Sequence, residues 1–350
     1  MKILIVRLSS LGDIVHSLPI VHCLKERYPD AQIDWLVGKR GFEFLSLIKE
    51  IDHIYLPDLK NISQIQNEKY DYVIDVQGLF KSAFLSKISR GRTTVGFKNT
   101  REFADVFYDE KIDVGNLFKT DKHIVDLNLK LVSKLINENQ TSGALYNVVK
   151  FLIPRISKPQ NAKLLQIRNQ KQKPKIAIFP TTTWKSKLWP PDYWLSLLKM
   201  ISDDFFIYLC AGNSDRRYVD PLINRLESEQ ICFENLIGKT GIKDLVYLLE
   251  NVDLVIGMDS FGLHLASAIK NDYGSPEVIG IYGPTSPKRS GPYGSGQNCL
   301  YLSEMECIAC RKKICPLGHH KCMKNIVPSH VQKMIDSKTA KILQLYSSAN

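Results

Sequence analysis

The sequence predicts an α/β protein made of two consecutive open parallel sheets, each covered by helices. Short apolar runs alternate with amphipathic segments along residues 2–89, which is typical of strand–helix–strand units with parallel strands. The same alternation starts again at residue 176, after a polar and basic segment at 168–175. The 350 residues exceed what one hydrophobic core normally organises, so we expect two domains.

The predicted elements follow one another closely in both halves. In the first half, the strands are 2–8, 32–37, 53–56 and 70–76, and the helices are 14–28, 41–49, 80–89 and 120–136. In the second half, the strands are 176–179, 205–210, 254–257 and 278–282, and the helices are 193–201, 219–229, 242–250 and 262–270. These elements predict an N-terminal domain at 1–167, a second domain at 168–328 that includes a cysteine-rich loop at 307–322, and a C-terminal helical segment at 329–350.

The composition points to an anionic partner. The formal net charge is +11 and the isoelectric point is near 9.1, which favours nucleic acid, an anionic membrane surface or a phosphorylated substrate. No apolar run approaches the roughly 20 residues that span a bilayer, and Arg7 and Asp13 interrupt the apolar N-terminus. We therefore expect a protein of the reducing cytoplasm.

The first motif is RLSSLGD at 7–13, where the first strand turns into a helix. Gly12 allows a tight turn, and the start of a helix favours negative charge on a ligand. Asp13 is either a functional carboxylate or a helix cap, and its local chemistry allows both. The turn lacks the G-x-G-x-x-G pattern, so a nicotinamide-dependent dehydrogenase site is not expected.

Two loops of the second half carry further polar residues. The loop PTTTWKSKLWP at 180–190 has hydroxyls and lysines that suit a diphosphate, although a plain connecting loop over buried tryptophans would have the same composition. In GMDSFGLHLA at 257–266, Asp259 and Ser260 either hold a ligand or cap the helix, and His264 is typical of a core residue. We interpret the turn-rich loop at 283–294 as a structural element without a direct role in the chemistry.

Together these motifs resemble glycosyltransferase family 9, the lipopolysaccharide heptosyltransferases, and most of all the heptosyltransferase I type. The segments that carry the resemblance follow the order of the family and span about residues 1–294: they are 3–19, 70–83, 182–190, 259–264, 283–285 and 291–294. The chain departs from the family at Phe261, where the family commonly has glycine directly after the Asp-Ser pair. The basic stretch before residue 70 is also short.

The resemblance implies an inverting glycosyltransferase of the GT-B fold, with two Rossmann-like sheets facing a central cleft. It implies an ADP-heptose donor, a Kdo residue of Kdo-lipid A as acceptor, and no cofactor for catalysis. Asp13 aligns with the general base of the family, and Lys187 with a contact to the leaving diphosphate. The predicted donor-binding residues are Thr182, Thr183, Lys187, Asp215, Asp259, Ser260, Gly262 and His264, and the predicted acceptor-binding residues are Ser10, Gly12 and Gln77.

The same resemblance implies a place for the protein and leaves two alternatives. An acceptor on a lipid, together with the basic charge, predicts a peripheral enzyme on the anionic inner face of the inner membrane, with no nucleic-acid partner. One alternative is a family 9 transferase with a different acceptor, of the heptosyltransferase II type. Another is a basic, cysteine-rich nucleic-acid-binding protein, which predicts salt-sensitive binding but leaves both α/β halves without a purpose.

A cluster of four cysteines follows these motifs, with the spacing C-x2-C-x4-C-x6-C, at Cys307, Cys310, Cys315 and Cys322. Four thiolates in so short a loop suit a closed tetrahedral zinc site. Free thiols, or disulfides in an oxidising environment, are the alternatives. We regard the cluster as a candidate site for a structural zinc without a catalytic role.

Overall fold

The computed structural model describes residues 1–117, 120–136, 149–170 and 172–347, except for the side chains of residues 341 and 343–347. The chain forms two compact units, Met1–Pro154 and Arg155–Asn350. This division comes before the domain boundary predicted at residue 167. Residues after Pro154 already pack on the second unit, because the backbone N–H groups of Gln160 and Asn161 both donate to Asp244 Oδ1, at 2.6 and 2.9 Å.

The first unit contains a sheet of six parallel strands in the described residues. The strand order is β3-β2-β1-β4-β5-β6, so the direction of winding reverses between β1 and β4. All neighbouring pairs are parallel. The strands are β1 (Lys2–Val6), β2 (Gln32–Leu36), β3 (His53–Tyr55), β4 (Tyr72–Asp75), β5 (Thr93–Phe97) and β6 (Glu110–Ile112).

The helices of this unit connect the strands and cover the sheet. They are α1 (Leu11–Val15), α2 (Leu18–Arg27), α3 (Lys39–Leu45), α4 (Leu59–Asn67), α5 (Phe80–Ile88) and α6 (Ile124–Lys130), with a 3₁₀ segment at Arg101–Phe107. The single helix predicted at 14–28 is two helices, since Pro19 has no N–H to continue a helix and instead occupies the first turn of α2. The helix predicted at 120–136 is α-helical only over α6.

The second unit repeats this architecture. Its described strands have the order β12-β11-β10-β7-β8-β9, again all parallel, and the direction of winding reverses between β7 and β10. The strands are β7 (Lys175–Phe179), β8 (Phe206–Leu209), β9 (Glu234–Asn235), β10 (Leu254–Met258), β11 (Glu277–Ile281) and β12 (Cys299–Leu300).

Helices cover this second sheet as well. They are α7 (Pro191–Ile201), α8 (Arg216–Ser228), α9 (Ile242–Glu250), α10 (Phe261–Tyr273), α11 (Pro287–Ser290), α12 (Lys321–Lys324) and α13 (Pro328–Ser347), and 3₁₀ helices lie at Ala162–Asn169, Lys185–Lys187, Asn213–Asp215 and Gly296–Asn298. The predicted α/β class with two open parallel sheets is confirmed. Within the described ranges, no helix combines the length and the apolar character needed to cross a membrane.

The core of the second unit explains why its sequence reads as buried strands between amphipathic helices. All five residues of β7 and of β10 are buried, as expected for central parallel strands covered on both faces. Trp189 and Trp194 are each 1% exposed and pack edge to face, with ring centroids 4.8 Å apart. Of the two tryptophans in the loop at 180–190, Trp189 therefore belongs to the core, whereas Trp184 is half-buried.

Candidate active site

The first part of the site is the turn between β1 and α1. Ser10 is the N-cap of α1, and Asp13 is its third residue. The backbone N–H and the hydroxyl of Ser10 both donate to Asp13 Oδ2, at 3.1 and 2.8 Å. Arg7, just after β1, places Nη2 2.9 Å from the same oxygen. The cap of the helix is therefore Ser10, and these contacts to Asp13 converge on one of its two oxygens.

The end of β4 supports this turn. Gln77 Oε1 accepts from the backbone N–H of Leu8 at 2.8 Å and from that of Ser9 at 3.3 Å. The Arg7 guanidinium, almost fully buried, donates from Nη1 to the Val76 carbonyl at 2.8 Å. The residues after β1 and β4 thus meet at the point where the sheet reverses direction, which is where open α/β sheets bind ligands. Gln77 holds the turn, and its contact with an acceptor stays a prediction.

The charge state of Asp13 follows from these contacts. Partial burial raises the pKa of the carboxyl, but the Arg7 guanidinium and the Ser10 hydroxyl outweigh it and lower the pKa to about 2. The Asp13 side chain is 39% exposed. Asp13 is therefore an accessible, ionised carboxylate at neutral pH.

The second part of the site is a buried network around Asp259, directly after β10. Lys187 Nζ and Thr285 Oγ1 both donate to Asp259 Oδ2, at 2.6 and 2.7 Å. His264 Nε2 donates to Asp259 Oδ1 at 2.8 Å, and the Thr182 hydroxyl donates to the Asp259 carbonyl at 3.1 Å. The network joins the loop after β7, the loop after β10 and the loop after β11, so the second reversal point also gathers polar side chains.

Burial and charge fix the ionisation of this network. Asp259 is 7% exposed. Burial raises the pKa of its carboxyl, but Lys187 and His264 outweigh that effect and hold the pKa well below its usual range. Both carboxylate oxygens are occupied by donors, so Asp259 is an anionic anchor for the Lys187 ammonium.

Lys187 is positioned from two further sides. Its Nζ lies 4.5 Å from the centroid of the Trp184 ring, a cation–π distance. The residue before it, Ser186, is held by the cysteine-rich loop: its N–H donates to the Lys313 carbonyl at 3.1 Å, and its carbonyl accepts from His320 Nε2 at 2.5 Å. The loop that carries the predicted diphosphate contact is therefore tied down by residues beyond 300.

Four other predicted donor-binding residues differ in their structural surroundings. Ser260 is the N-cap of α10, and Thr183 is exposed on the loop after β7. Asp215 lies at the start of α8, where Oδ2 accepts from the Thr181 hydroxyl at 3.1 Å. At Gly262, a Cβ would lie 2.4 Å from the Phe179 ring, so this glycine is required for packing α10 on β7. The contacts of all four with a donor stay predictions.

The cysteine-rich loop forms a small cavity in the same unit. It is lined by the four clustered cysteines together with His319 and His320. Burial, followed by the other three thiols of the cluster, raises the pKa of Cys322 to about 11. Across the ranges the structure describes, no group of three or more histidine, cysteine, aspartate or glutamate side chains is arranged as a metal site. The thiols are thus neighbours without tetrahedral convergence.

Three residues that sequence reasoning left unassigned complete the two clusters. Arg7 pairs with Asp13, Thr285 bonds Asp259, and Trp184 lies against Lys187. All three belong to motifs that the sequence analysis singled out. Only Arg7 carries a signal of its own, since a charged residue directly after a buried strand needs a partner.

Comparison with known proteins agrees with this geometry. The family model described as "Glycosyltransferase family 9 (heptosyltransferase)" matches residues 59–321. The lipooligosaccharide heptosyltransferase 2 of Campylobacter jejuni is 28% identical over 342 residues, which cover 95% of this chain and 96% of that protein. The lipopolysaccharide heptosyltransferase 1 of Campylobacter coli is 28% identical over 308 residues, 83% of this chain and 86% of that one. Since both types match at the same identity, the predicted type I stays a prediction.

Solved structures share the fold. The E. coli ADP-heptose lipopolysaccharide heptosyltransferase II superposes with a TM-score of 0.73 at 20% identity, covering 97% of this chain and 99% of the other. A family 9 glycosyltransferase of Veillonella parvula gives a TM-score of 0.77 at 18% identity, covering 97% of each chain. The family match spans most of both units and reaches into the cysteine-rich loop. The chain therefore belongs to glycosyltransferase family 9, the heptosyltransferases, and is a glycosyltransferase.

Proposed function

We propose that the protein transfers heptose from ADP-L-glycero-D-manno-heptose to a Kdo residue of Kdo-lipid A, in the synthesis of the lipopolysaccharide inner core. The names of its relatives support the sugar and the lipopolysaccharide, and the ADP-2-deoxy-2-fluoro heptose bound to a similar E. coli heptosyltransferase supports the donor. One structural observation carries the proposal. Each reversal point of the two sheets holds a charged cluster, an accessible carboxylate at Asp13 in one unit and a Lys187–Asp259 anchor in the other.

The proposed reaction is a single displacement at the anomeric carbon with inversion. Asp13 accepts the proton of the attacking acceptor hydroxyl while the bond from that oxygen to the sugar forms and the bond to the diphosphate breaks. A carboxylate with a pKa near 2 is a weak base, so proton transfer runs late, when the hydroxyl has become acidic through its new bond. Arg7 keeps Asp13 ionised and holds it in place, since both Nη1 and Nη2 are fixed.

The leaving ADP is stabilised from the second unit. Lys187, buried to 13% exposure beside Asp259, gives a fixed positive charge, and the hydroxyls of Thr182 and Thr183 supply donors on the same loop. Ser260 and the start of α10, a helix of 13 residues, add backbone N–H groups. The Asp259 anchor orients the ammonium before the donor arrives, so no rearrangement is needed as negative charge develops on the leaving diphosphate.

The location follows from the acceptor. Lipid A is membrane-bound, and the chain has a net charge of +11. The proposed location is therefore the anionic inner face of the inner membrane, on the cytoplasmic side. A type II acceptor is the alternative within the family, because relatives of both types match equally well.

The proposal includes one structural zinc held by Cys307, Cys310, Cys315 and Cys322. The four thiols line one cavity and have close spacing, and they must draw together on the ion to complete a tetrahedral set. Metal analysis of purified protein should give about one zinc per chain. Cys310→Ser should lose the metal, while Cys232→Ser, at an exposed cysteine outside the loop, should keep it. A zinc content below about a tenth per chain would remove the ion.

The function is tested by the release of ADP from ADP-heptose, measured with and without Kdo-lipid A. We expect release that depends on the acceptor and a product with one added heptose. A parallel assay with the acceptor of the type II relatives separates the two types. If neither acceptor raises the release of ADP above the rate measured without enzyme, the proposal is overturned.

A further inference from the structure

A cluster of exposed apolar side chains lies on the first unit, on α5 and on the 3₁₀ segment at Arg101–Phe107. Phe80 and Phe84 on α5 are 51% and 45% exposed, and Phe103 and Val106 on the 3₁₀ segment are 81% and 67% exposed. Together with Phe107 we call these residues the aromatic patch. Large apolar side chains scattered singly on a surface are ordinary, but a contiguous group marks an interaction site.

The patch is a preformed surface. The rings of Phe80 and Phe84 are parallel with centroids 6.4 Å apart, and Phe107 meets both edge to face, at 5.4 and 6.2 Å. Glu102 Oε2 accepts from the backbone N–H of Phe80 at 3.1 Å, which fastens the 3₁₀ segment to the start of α5. These contacts hold the rings together although half of the surface of Phe80 faces solvent.

The backbone also directs one ring outward. Glu102 and Phe103 have positive φ angles of 59° and 55°, a region that bulky side chains rarely adopt. Glu102 is the residue whose side chain accepts from the Phe80 N–H. Phe103 presents the most exposed aromatic ring of the patch to solvent. The turn thus combines an unfavourable backbone conformation with an exposed phenylalanine ring.

The charges around the patch identify its partner. Between residues 80 and 107 the sequence has six basic and two acidic residues. Two of the six, Lys87 and Lys98, pair with Asp109 and Asp113, which lie just beyond this range, while Lys81 follows Phe80 in the sequence and is exposed, as is Arg101 two residues before Phe103. Aromatic rings flanked by lysine and arginine match a bilayer surface, where the rings enter the interface and the cations meet anionic headgroups.

We propose that the aromatic patch is the surface by which the protein rests on an anionic lipid membrane. The patch begins three residues after Gln77, whose side chain supports the turn that carries Asp13. A membrane bound here would bring a lipid-linked acceptor to the side of the sheet where that turn lies. The inference deepens the proposed function and rests on its lipid acceptor.

The test is binding to vesicles of phosphatidylcholine, with and without about one third phosphatidylglycerol. The wild type should sediment with the anionic vesicles and much less with the neutral ones. The double variant Phe103→Ser/Val106→Ser removes the two side chains that pack least on the unit and should bind the anionic vesicles at least about tenfold more weakly. The control Leu59→Ser removes an even more exposed apolar side chain, 91% exposed, from α4 and should bind like the wild type.

Activity separates this inference from the proposed function. With an acylated acceptor in vesicles, the double variant should lose most of its turnover, and with a deacylated, water-soluble acceptor it should equal the wild type. If the wild type transfers heptose to neither acceptor, the proposed function is overturned, while vesicle binding still tests the aromatic patch. If the wild type and the double variant bind vesicles equally, the proposal of a membrane surface is overturned. It is also overturned if the wild type is a dimer and the double variant is a monomer.

Discussion

The two units carry an aspartate at the reversal point of the same strand order, yet they hold the two carboxylates in opposite ways. The contacts from Arg7 and Ser10 to Asp13 all reach Oδ2, and the side chain is 39% exposed. Asp259 has donors on both oxygens and is 7% exposed. The same topology thus supports an accessible carboxylate in one unit and a saturated, buried carboxylate in the other.

This difference supports the roles proposed above. A proton acceptor has to meet the substrate, and the exposed carboxylate of Asp13 suits that role better than the buried carboxylate of Asp259, which has donors on both oxygens. A buried carboxylate whose pKa lies far below its usual range instead fixes a cation, and here the cation is Lys187. If the carboxylates had exchanged roles, removal of Asp13 would affect mainly folding and removal of Asp259 mainly proton transfer. Substitutions on each side therefore test the comparison.

The largest effect is expected for Asp13→Asn. The amide still accepts from the Ser10 N–H but takes no proton, so turnover should fall by about a hundredfold to ten-thousandfold with little change in donor affinity. The lost pair with Arg7 is partly exposed and should lower the free energy of unfolding by only about 1 kcal/mol. Steady-state kinetics and thermal unfolding of the same preparation measure both.

The matched control for that variant is Asp58→Asn, which changes an aspartate at the start of another helix in the same unit. Asp58 is the N-cap of α4 and accepts from the Asn61 N–H, so it tests the same aspartate-to-asparagine change at a helix start without the proposed chemistry. Its turnover should equal that of the wild type. An Asp13→Asn protein that keeps more than about a tenth of wild-type turnover would make Asp13 a residue of the turn alone.

The next largest effect is expected for Lys187→Ala, on the anchored side of the comparison. Loss of a charge-assisted contact to the leaving diphosphate should lower kcat/KM for the donor by about 2–3 kcal/mol, or roughly 30- to 150-fold. Because Asp259 would lose its buried partner, the variant should also unfold more easily. Lys185→Ala, at an exposed lysine two residues earlier, is the control and should stay within twofold. Similar donor kinetics in both variants would show that Lys187 serves the fold alone.

Much of this comparison was predictable from the sequence, for physical reasons. Buried parallel strands have a clear apolar signature, and loops at their carboxyl ends are where polar residues cluster, so Asp13, Lys187 and Asp259 were all singled out. Short edge strands such as β6, β9 and β12 were missed. With only two or three residues each, they have no periodicity to detect.

What the sequence did not reveal are contacts between segments far apart in the chain. Thr285 reaches Asp259 from the next loop, and His320 reaches Ser186 across 134 residues. The interpretation of Asp13 as a helix cap was open for a similar reason. Local chemistry does not show that Ser10 takes the cap position and leaves Asp13 to pair with Arg7.

A smaller effect is expected for Gly262→Ala, which tests how tightly the anchored side is packed. A Cβ at this position meets the Phe179 ring at 2.4 Å, so the free energy of unfolding should fall by about 1–2 kcal/mol despite the better helix propensity of alanine. Gly296→Ala, where nothing lies within 4 Å, is the control and should unfold like the wild type. The second change Phe179→Leu should restore part of the loss. Full stability of Gly262→Ala alone would show that packing of α10 on β7 does not require the glycine.

The smallest effect concerns the dependence of activity on pH, and it tests the ionisation of Asp13. Since the Asp13 carboxyl has a pKa of about 2, it is ionised over the whole working range, and its protonation should not reduce kcat/KM between about pH 8 and pH 5.

In Arg7→Gln, burial remains while the guanidinium that opposes it is gone, so the pKa of Asp13 rises and the acid limb of the profile moves to higher pH. Lys25→Gln, which removes the cation of the exposed Lys25–Asp52 pair, should leave the profile unchanged. The sign for stability agrees: the ionised Asp13 stabilises the fold above the unfolded pKa near 3.8, and this contribution is lost as the pH falls towards 2. A wild-type acid limb near pH 6 that Arg7→Gln does not move would assign the base to a different group.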